Sequence, residues 1–179
     1  MHAIMSRLDP DTTSIVSDLW AKLYEECGLN AIYTIPTPHV TWMVADDIDL
    51  VSSESILAKI AEETSNFTLH TFGLGIFSGE NPVLYLPMVK TMEMIHLHCK
   101  IWDQVGSFAK EAKLYYSPTM WVPHITLALN DLTRENLACA VDAIGFEPIE
   151  LFVLVDNLIV AEYEEDSVGE LLFEYGFKG

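Results

Sequence analysis

Basic residues are scarce in this chain of 179: nine Lys plus Arg stand against 27 Asp plus Glu, a formal net charge of −18. Proteins that hold long nucleic acids gain affinity by neutralising phosphates with Lys and Arg. The balance therefore argues against RNA or DNA as an extended partner, and any phosphorylated ligand is small or gripped at one end. The same acidity also serves as a solvated, solubilising surface. Cysteine is nearly absent. Cys27, Cys99 and Cys139 are odd in number, widely spaced and without a C-x-x-C pair, so they read as small buried hydrophobes in a reducing compartment. No apolar run approaches the roughly 18 residues of a membrane span, and Met1–Arg7 has no apolar core of signal-peptide length. A soluble cytoplasmic protein is expected. No Gly- or Ser-rich linker divides the chain. With half its residues hydrophobic and only 20% charged, it is globular rather than disordered, and its length suits one domain or two small lobes sharing a core.

What is present falls into two similar halves. Ala3 to Leu8 is a short apolar strand, and Asp9-Pro10-Asp11 opens a helix whose apolar positions Ile15, Val16, Leu19, Trp20, Leu23, Tyr24 and Cys27 recur until Gly28 stops it. A Pro-bearing loop, residues 33–38, leads into the β-forming run His39-Val40-Thr41-Trp42-Met43-Val44, followed by a helix over Ile56, Leu57, Ile60 and Ala61. The second half begins with a strand at 83–89 and a long helix marked by Met92, Ile95, Cys99, Trp102, Val105, Phe108, Ala109 and Ala112. A loop through Pro118 and Pro123 then precedes His124-Ile125-Thr126-Leu127, and Thr133 is placed to cap a helix burying Leu137, Val141 and Ile144. Each half ends in an extended stretch, 67–77 and 149–161, that turns back through Ser78-Gly79-Glu80-Asn81-Pro82 or Asp166-Ser167-Val168-Gly169. The expectation is one unit, residues 1–179, made of approximate repeats 3–77 and 83–161.

Residues i and i+2 of a strand share a face, so His39 with Thr41 and His124 with Thr126 each project an imidazole and a hydroxyl together. The imidazole exchanges a proton near neutral pH, and the hydroxyl donates to a phosphoryl oxygen. Two such pairs face to face supply a base on one side of a phosphorus and an acid on the other, as in-line displacement requires. One His-x-Thr is unsurprising in a chain with six histidines, and a satisfied strand histidine beside a β-forming Thr accounts for it. Two, each preceded by Pro and equivalently placed in a repeat, are not.

Pro38-His39-Val40-Thr41 and Pro123-His124-Ile125-Thr126-Leu127, with the intervening run from Phe67 to Phe77 and Val83-Leu84-Tyr85-Leu86, resemble the paired motifs and middle strands of the 2H phosphoesterase superfamily, the group of 2′-5′ RNA ligase-like proteins and cyclic nucleotide phosphodiesterases. The resemblance covers most of the chain. It implies a bilobal α+β fold with pseudo-two-fold symmetry, two antiparallel sheets flanked by helices, a central cleft, and no metal or cofactor. By the same resemblance one of His39 and His124 is the general base and the other the general acid, while Thr41 and Thr126 hold the phosphate. The strong acidity, and the lack of Arg or Lys directly after either motif, favour a small cyclic phosphate or nucleotide as substrate over tRNA-sized RNA. Ligation of RNA ends and noncatalytic nucleotide binding are the rival readings, and a monomer is expected.

Other residues carry less. Trp121, in the loop before Pro123, and Tyr116 are candidate walls for a nucleobase. Trp42, at an odd offset from His39, belongs to the core. Arg7 on the first strand is a candidate phosphate contact, although a surface ion pair is the commoner fate. His96 and His98 diverge on a helix and do not form a metal site; they read as helix-surface histidines. His70 reads as a strand residue without a catalytic role, and His2 is terminal. The charge balance predicts that a cyclic mononucleotide binds with weak salt dependence, whereas a long RNA would show a steep slope if it were held along its backbone. Titrations of both ligands at several salt concentrations check this, and tight, strongly salt-dependent RNA binding would contradict it.

Overall fold

The computed structural model describes residues 1–162 and 170–179. Asp9 caps the first helix, α1 (Pro10–Cys27), accepting from the Thr12 amide at 3.0 Å. Gly28 ends it in the left-handed region at φ 72°, where its amide returns to the Tyr24 carbonyl at 2.9 Å. Asp49 and Thr91 cap α2 (Leu50–Glu62) and α3 (Met92–Val105) in the same way as Asp9. The helix expected to run on to Ala112 stops at Val105. Residues Ala109–Ala112 instead form an edge strand, because apolar residues this widely spaced satisfy either period, and here the pairing partner decides. The last helix, α4 (Leu137–Gly145), starts beyond the expected Thr133 cap. Asn136 takes the Thr133 amide at 2.7 Å and donates to the Asp131 carbonyl at 2.9 Å, closing a polar turn ahead of the helix.

The strands are β1 (His2–Arg7), β2 (His39–Ile48), β3 (Phe67–His70), β4 (Gly75–Phe77), β5 (Val83–Pro87), β6 (Ala109–Ala112), β7 (His124–Ala128), β8 (Phe152–Val155), β9 (Asn157–Glu162) and β10 (Leu171–Gly176). All named pairings are antiparallel. One sheet runs β10-β9-β1-β2-β6, a second β4-β5-β7, and β3 pairs with β8. The stretch read as continuous over 67–77 is broken between β3 and β4, where Gly73 takes φ 64°. Around the break, Thr71 bridges Met88 and Phe72 donates to the Pro87 carbonyl, joining the β3-β8 pair to the second sheet. The turn expected at 166–169 lies outside the described residues.

The sheets do not coincide with the sequence halves. β9, late in the chain, pairs with β1, while β3 and β4, early in the chain, join β8 and β5. Helices cross over as well. α2 and α3 pack together over β2, β9 and β10, whereas α1 packs against α4 and β7. Leu23, Trp42, Leu57, Ile101 and Ile125 are all within the continuous core that this exchange creates. Among the described residues, no helix is long and apolar enough to cross a membrane.

The cysteine expectation is corrected. Cys27 at the end of α1 and Cys139 on α4 are joined by a disulfide, with Cα atoms 5.8 Å apart across 112 residues of sequence, and Cys99 stays free. Nothing in the cysteine spacing indicated that these two helices lie side by side. The reducing-compartment reading rested on unpaired cysteines, and that ground is removed. Under denaturing, non-reducing conditions one thiol should titrate, rising to three after reduction. Reduction should cost about 2–4 kcal/mol, seen as a thermal midpoint lower by several degrees.

Candidate active site

Both motif strands begin at their histidine, and both show the same alternation. His39 and Thr41 are partly exposed while Val40 and Trp42 are fully buried; His124 and Thr126 are partly exposed while Ile125 and Leu127 are fully buried. The i, i+2 rule thus places each imidazole and hydroxyl on the open face. The preceding prolines are tied down alike. The Pro38 carbonyl accepts from the Leu8 amide just after β1, and the Pro123 carbonyl accepts from the Met88 amide just after β5. Two residues before each histidine a backbone carbonyl meets its Nδ1: Thr37 O at 2.9 Å from His39 and Val122 O at 2.8 Å from His124. A carbonyl only accepts, so Nδ1 carries hydrogen in both rings, and Nε2 is the basic nitrogen of each neutral imidazole.

The two motifs lie close enough to interact. Burial holds the His39 pKa below its ordinary value of 6.5; the Thr37 carbonyl opposes that shift and the charge of His124 adds to it. Burial lowers His124 likewise, against the pull of the Val122 carbonyl. Each Thr backbone carbonyl accepts an indole N–H from elsewhere, Thr126 from Trp20 on α1 at 3.0 Å and Thr41 from Trp121 at 3.1 Å.

His124 and Thr126 open onto a cavity of about 530 Å³, walled by Phe77, Tyr115, Tyr116, Met120 and other apolar residues. Burial pushes the Tyr116 phenol up to about 12, so it remains a donor, and the Thr41 side chain beside it links this wall to the first motif. Phe77 meets His124 edge-on at 4.9 Å, and Tyr85 lies 5.1 Å from the same imidazole. Position 75 must be glycine for this backing to form, since a Cβ there would come within 2.4 Å of the Tyr85 ring.

His124, Thr126, Tyr116 and Trp121 therefore meet at one cavity; Thr41 reaches its wall at the Tyr116 side chain, and His39 lies close enough to His124 for their charges to interact. Arg7 is not part of the group: its guanidinium pairs with Glu174, and it lines a separate cavity with Thr37 and Asn157. Trp121 contributes a wall but little stacking surface. The residue is only 2% exposed, with His98 stacked on it at 3.9 Å and Trp42 tilted against it at 5.4 Å. His98, expected on a helix surface, is buried and holds its Nε2 2.9 Å from the Tyr116 carbonyl. Its spacing from Met94, Ile101 and Val105 put it on the apolar stripe of α3, which is the signal that could have found it. Phe77, Tyr85 and Met120 were not singled out because apolar patterning does not separate a cavity wall from a core. Among the described residues no three His, Cys, Asp or Glu side chains are grouped to hold a metal ion.

Comparison with known proteins gives consistent matches. The profile described as 2′-5′ RNA ligase superfamily matches residues 10–167. A Bacillus cereus (strain B4264) protein called "Putative phosphoesterase" is 34% identical over 134 residues, covering 70% of this chain and 74% of that protein. A Bacillus mycoides (strain KBAB4) protein of similar name is 35% identical over the same shares. Among solved structures, TT0787 of Thermus thermophilus aligns with a TM-score of 0.66 at 15% identity over 99% of this chain and 98% of that one. E. coli LigT complexed with NADP+ aligns with a TM-score of 0.59 at 14% identity over 99% and 97%. These structures establish the α+β fold of antiparallel sheets flanked by helices.

Burial also lowers the pKa of His98, with the charge of Lys90 contributing. A histidine depressed in the folded state is protonated more readily in the unfolded chain. Its stabilising contribution is therefore complete above about pH 6.5 and is lost as pH falls through the folded value. His98→Gln, which keeps a donor toward the Tyr116 carbonyl but cannot titrate, should gain stability relative to the wild type between pH 7.5 and pH 5. Parallel thermal melts check this, and a pH-independent difference would contradict it.

Proposed function

The chain belongs to the 2′-5′ RNA ligase superfamily, and from that premise we propose that it is a metal-independent phosphodiesterase opening a small cyclic phosphate, such as a 2′,3′-cyclic nucleotide, with His39 and His124 as its acid–base pair. The observation that carries this reading is the matched tethering of the two imidazoles, which leaves each with Nε2 as its proton-exchanging nitrogen. His39, whose proton is disfavoured by both burial and the charge of His124, acts as base. Its Nε2 takes a proton from water as the water oxygen bonds to phosphorus. The P–O bond to one ribose oxygen breaks, and protonated His124 delivers its Nε2 proton to that leaving oxygen. Thr41 and Thr126 donate to the non-bridging oxygens, where charge accumulates. The products are a phosphomonoester and a free hydroxyl, and both histidines have exchanged protonation states.

The acidic surface and a cavity of mononucleotide scale favour a small substrate bound by a monomer over a polynucleotide. The family's name favours a second reading, action on RNA ends. Nucleotide binding without turnover would identify a binding module.

Hydrolysis of 2′,3′-cyclic mononucleotides tests the proposal. His39→Ala and His124→Ala should each lower turnover about 10²–10⁴-fold, and the double variant should fall far short of the product of the two. Thr41→Val and Thr126→Val should cost about 10–10³-fold. Activity should survive EDTA. Because both imidazoles are held below 6.5, and the singly protonated pair is the working form, kcat/KM should follow a bell whose optimum lies on the acid side of 6.5. Near wild-type turnover in either histidine variant, or metal-dependent rescue after EDTA, would overturn the mechanism.

A further inference from the structure

Asp131, just beyond the end of β7, reaches across to the segment that leads into the other motif. Its Oδ2 accepts from the amides of Asn30 and Ala31, each at 2.7 Å. These amides open the single helical turn Ala31–Thr34. The first N–H groups of such a turn have no partner within it, and a carboxylate bonds them more strongly than a neutral acceptor does. Tyr33 on the same turn lies edge-on to Trp20 at 6.3 Å, and Trp20 is the residue that donates to the Thr126 carbonyl. From the turn, Ile35-Pro36-Thr37-Pro38 runs to His39, and the Thr37 carbonyl tethers the imidazole. Two prolines fix φ in this arm, so it passes a shift at Ala31 on to His39 instead of absorbing it.

Asp131 is itself held in place. Its carbonyl accepts from the Asn136 side chain at 2.9 Å, and Asn130 before it takes φ 65°, a left-handed conformation that residues other than glycine rarely adopt. The other carboxylate oxygen, Oδ1, is buried with no hydrogen-bond partner among the described residues. An oxygen left in that state lowers stability, so packing alone does not account for an acid at this position. Resting on the two-histidine reading above, we propose that Asp131 is a positioning residue: by clamping the Asn30–Ala31 backbone to the segment behind the second motif, its carboxylate sets the gap between His39 and His124.

Hydrolysis of adenosine 2′,3′-cyclic phosphate by a set of variants tests this. Asp131→Ala should lower kcat about 10–100-fold, the cost of a misplacement on the order of 1 Å, with KM within about three-fold. Asp131→Asn, which keeps an oxygen acceptor, should recover most of the loss. Ile60→Val, a truncation buried in α2, should lose stability and keep its kcat. Pro36→Gly, at an exposed position, relaxes the same arm and should lower kcat several-fold. A folded Asp131→Ala with wild-type kcat, or an Asp131→Asn no better than it, overturns the proposal. Unchanged kcat in Pro36→Gly does so even where Asp131→Ala fails to fold. If the wild type turns over no ester, the catalytic reading fails by itself, and NMR titration of the imidazoles decides the present one. His124→Gln should raise the His39 pKa, because an opposing charge is removed, and should raise it less in an Asp131→Ala or Pro36→Gly background; an equal rise overturns the proposal.

Discussion

Two indole N–H groups hold the motif strands in register with the rest of the molecule. Trp20 reaches from α1 to the Thr126 carbonyl, and Trp121 reaches from the loop before β7 to the Thr41 carbonyl. Both side chains are buried, so an indole left without an acceptor would cost about 1–3 kcal/mol. The bonds form only where β2, β7 and their neighbouring segments have already packed. Each motif is thus fastened by a residue distant from it in sequence, 106 positions in one case and 80 in the other. Trp121 is fixed in turn by His98 and Trp42, and Trp42 donates to Ser6 on β1 at 2.8 Å. A continuous set of aromatic and polar contacts therefore runs from the first strand through the first motif to the loop ahead of the second.

The same packing sets the electrostatics of the site. Apolar neighbours lower both imidazole pKa values, and the charge of one opposes protonation of the other. A pair of this kind favours holding one proton rather than two or none over part of the pH range, the condition that paired acid–base chemistry needs. Among the described residues no Lys or Arg lines the cavity, although Lys90 stands 5.8 Å over the ring of Trp121 on its wall, and the chain as a whole is strongly acidic. On the proposed cyclic-phosphate reading, the Thr hydroxyls, a protonated histidine and the fit of the uncharged remainder of the ligand would draw in a compact substrate.

The exchange of strands and helices between the sequence halves gives the disulfide its place. α1 leaves the sheet of its own strand, β1, and packs on β7 and α4, which brings Cys27 to Cys139. The bond closes a loop that contains both motifs, so it restricts the unfolded chain across the whole site.

The repeating order of elements, the caps at Asp9 and Gly28, and the face on which His39, Thr41, His124 and Thr126 stand were all legible from the chain, because they depend on local periodicity and on residues within a few positions of one another. The placement of Trp42 in the core followed from the same alternation. Ala109–Ala112 could not be assigned by that route, since its pattern fits a helix as well as a strand until β2 offers an edge. The Cys27–Cys139 bond, the ion pair that takes Arg7 to Glu174, the burial of His98 beneath Trp121 and the ring of Phe77 and Tyr85 around His124 all join segments far apart in sequence. By itself the sequence determined which face of their strands His39, Thr41, His124 and Thr126 occupy; only the tertiary structure decided what surrounds them, because burial, pairing and charge depend on neighbours that the chain brings together only when it folds.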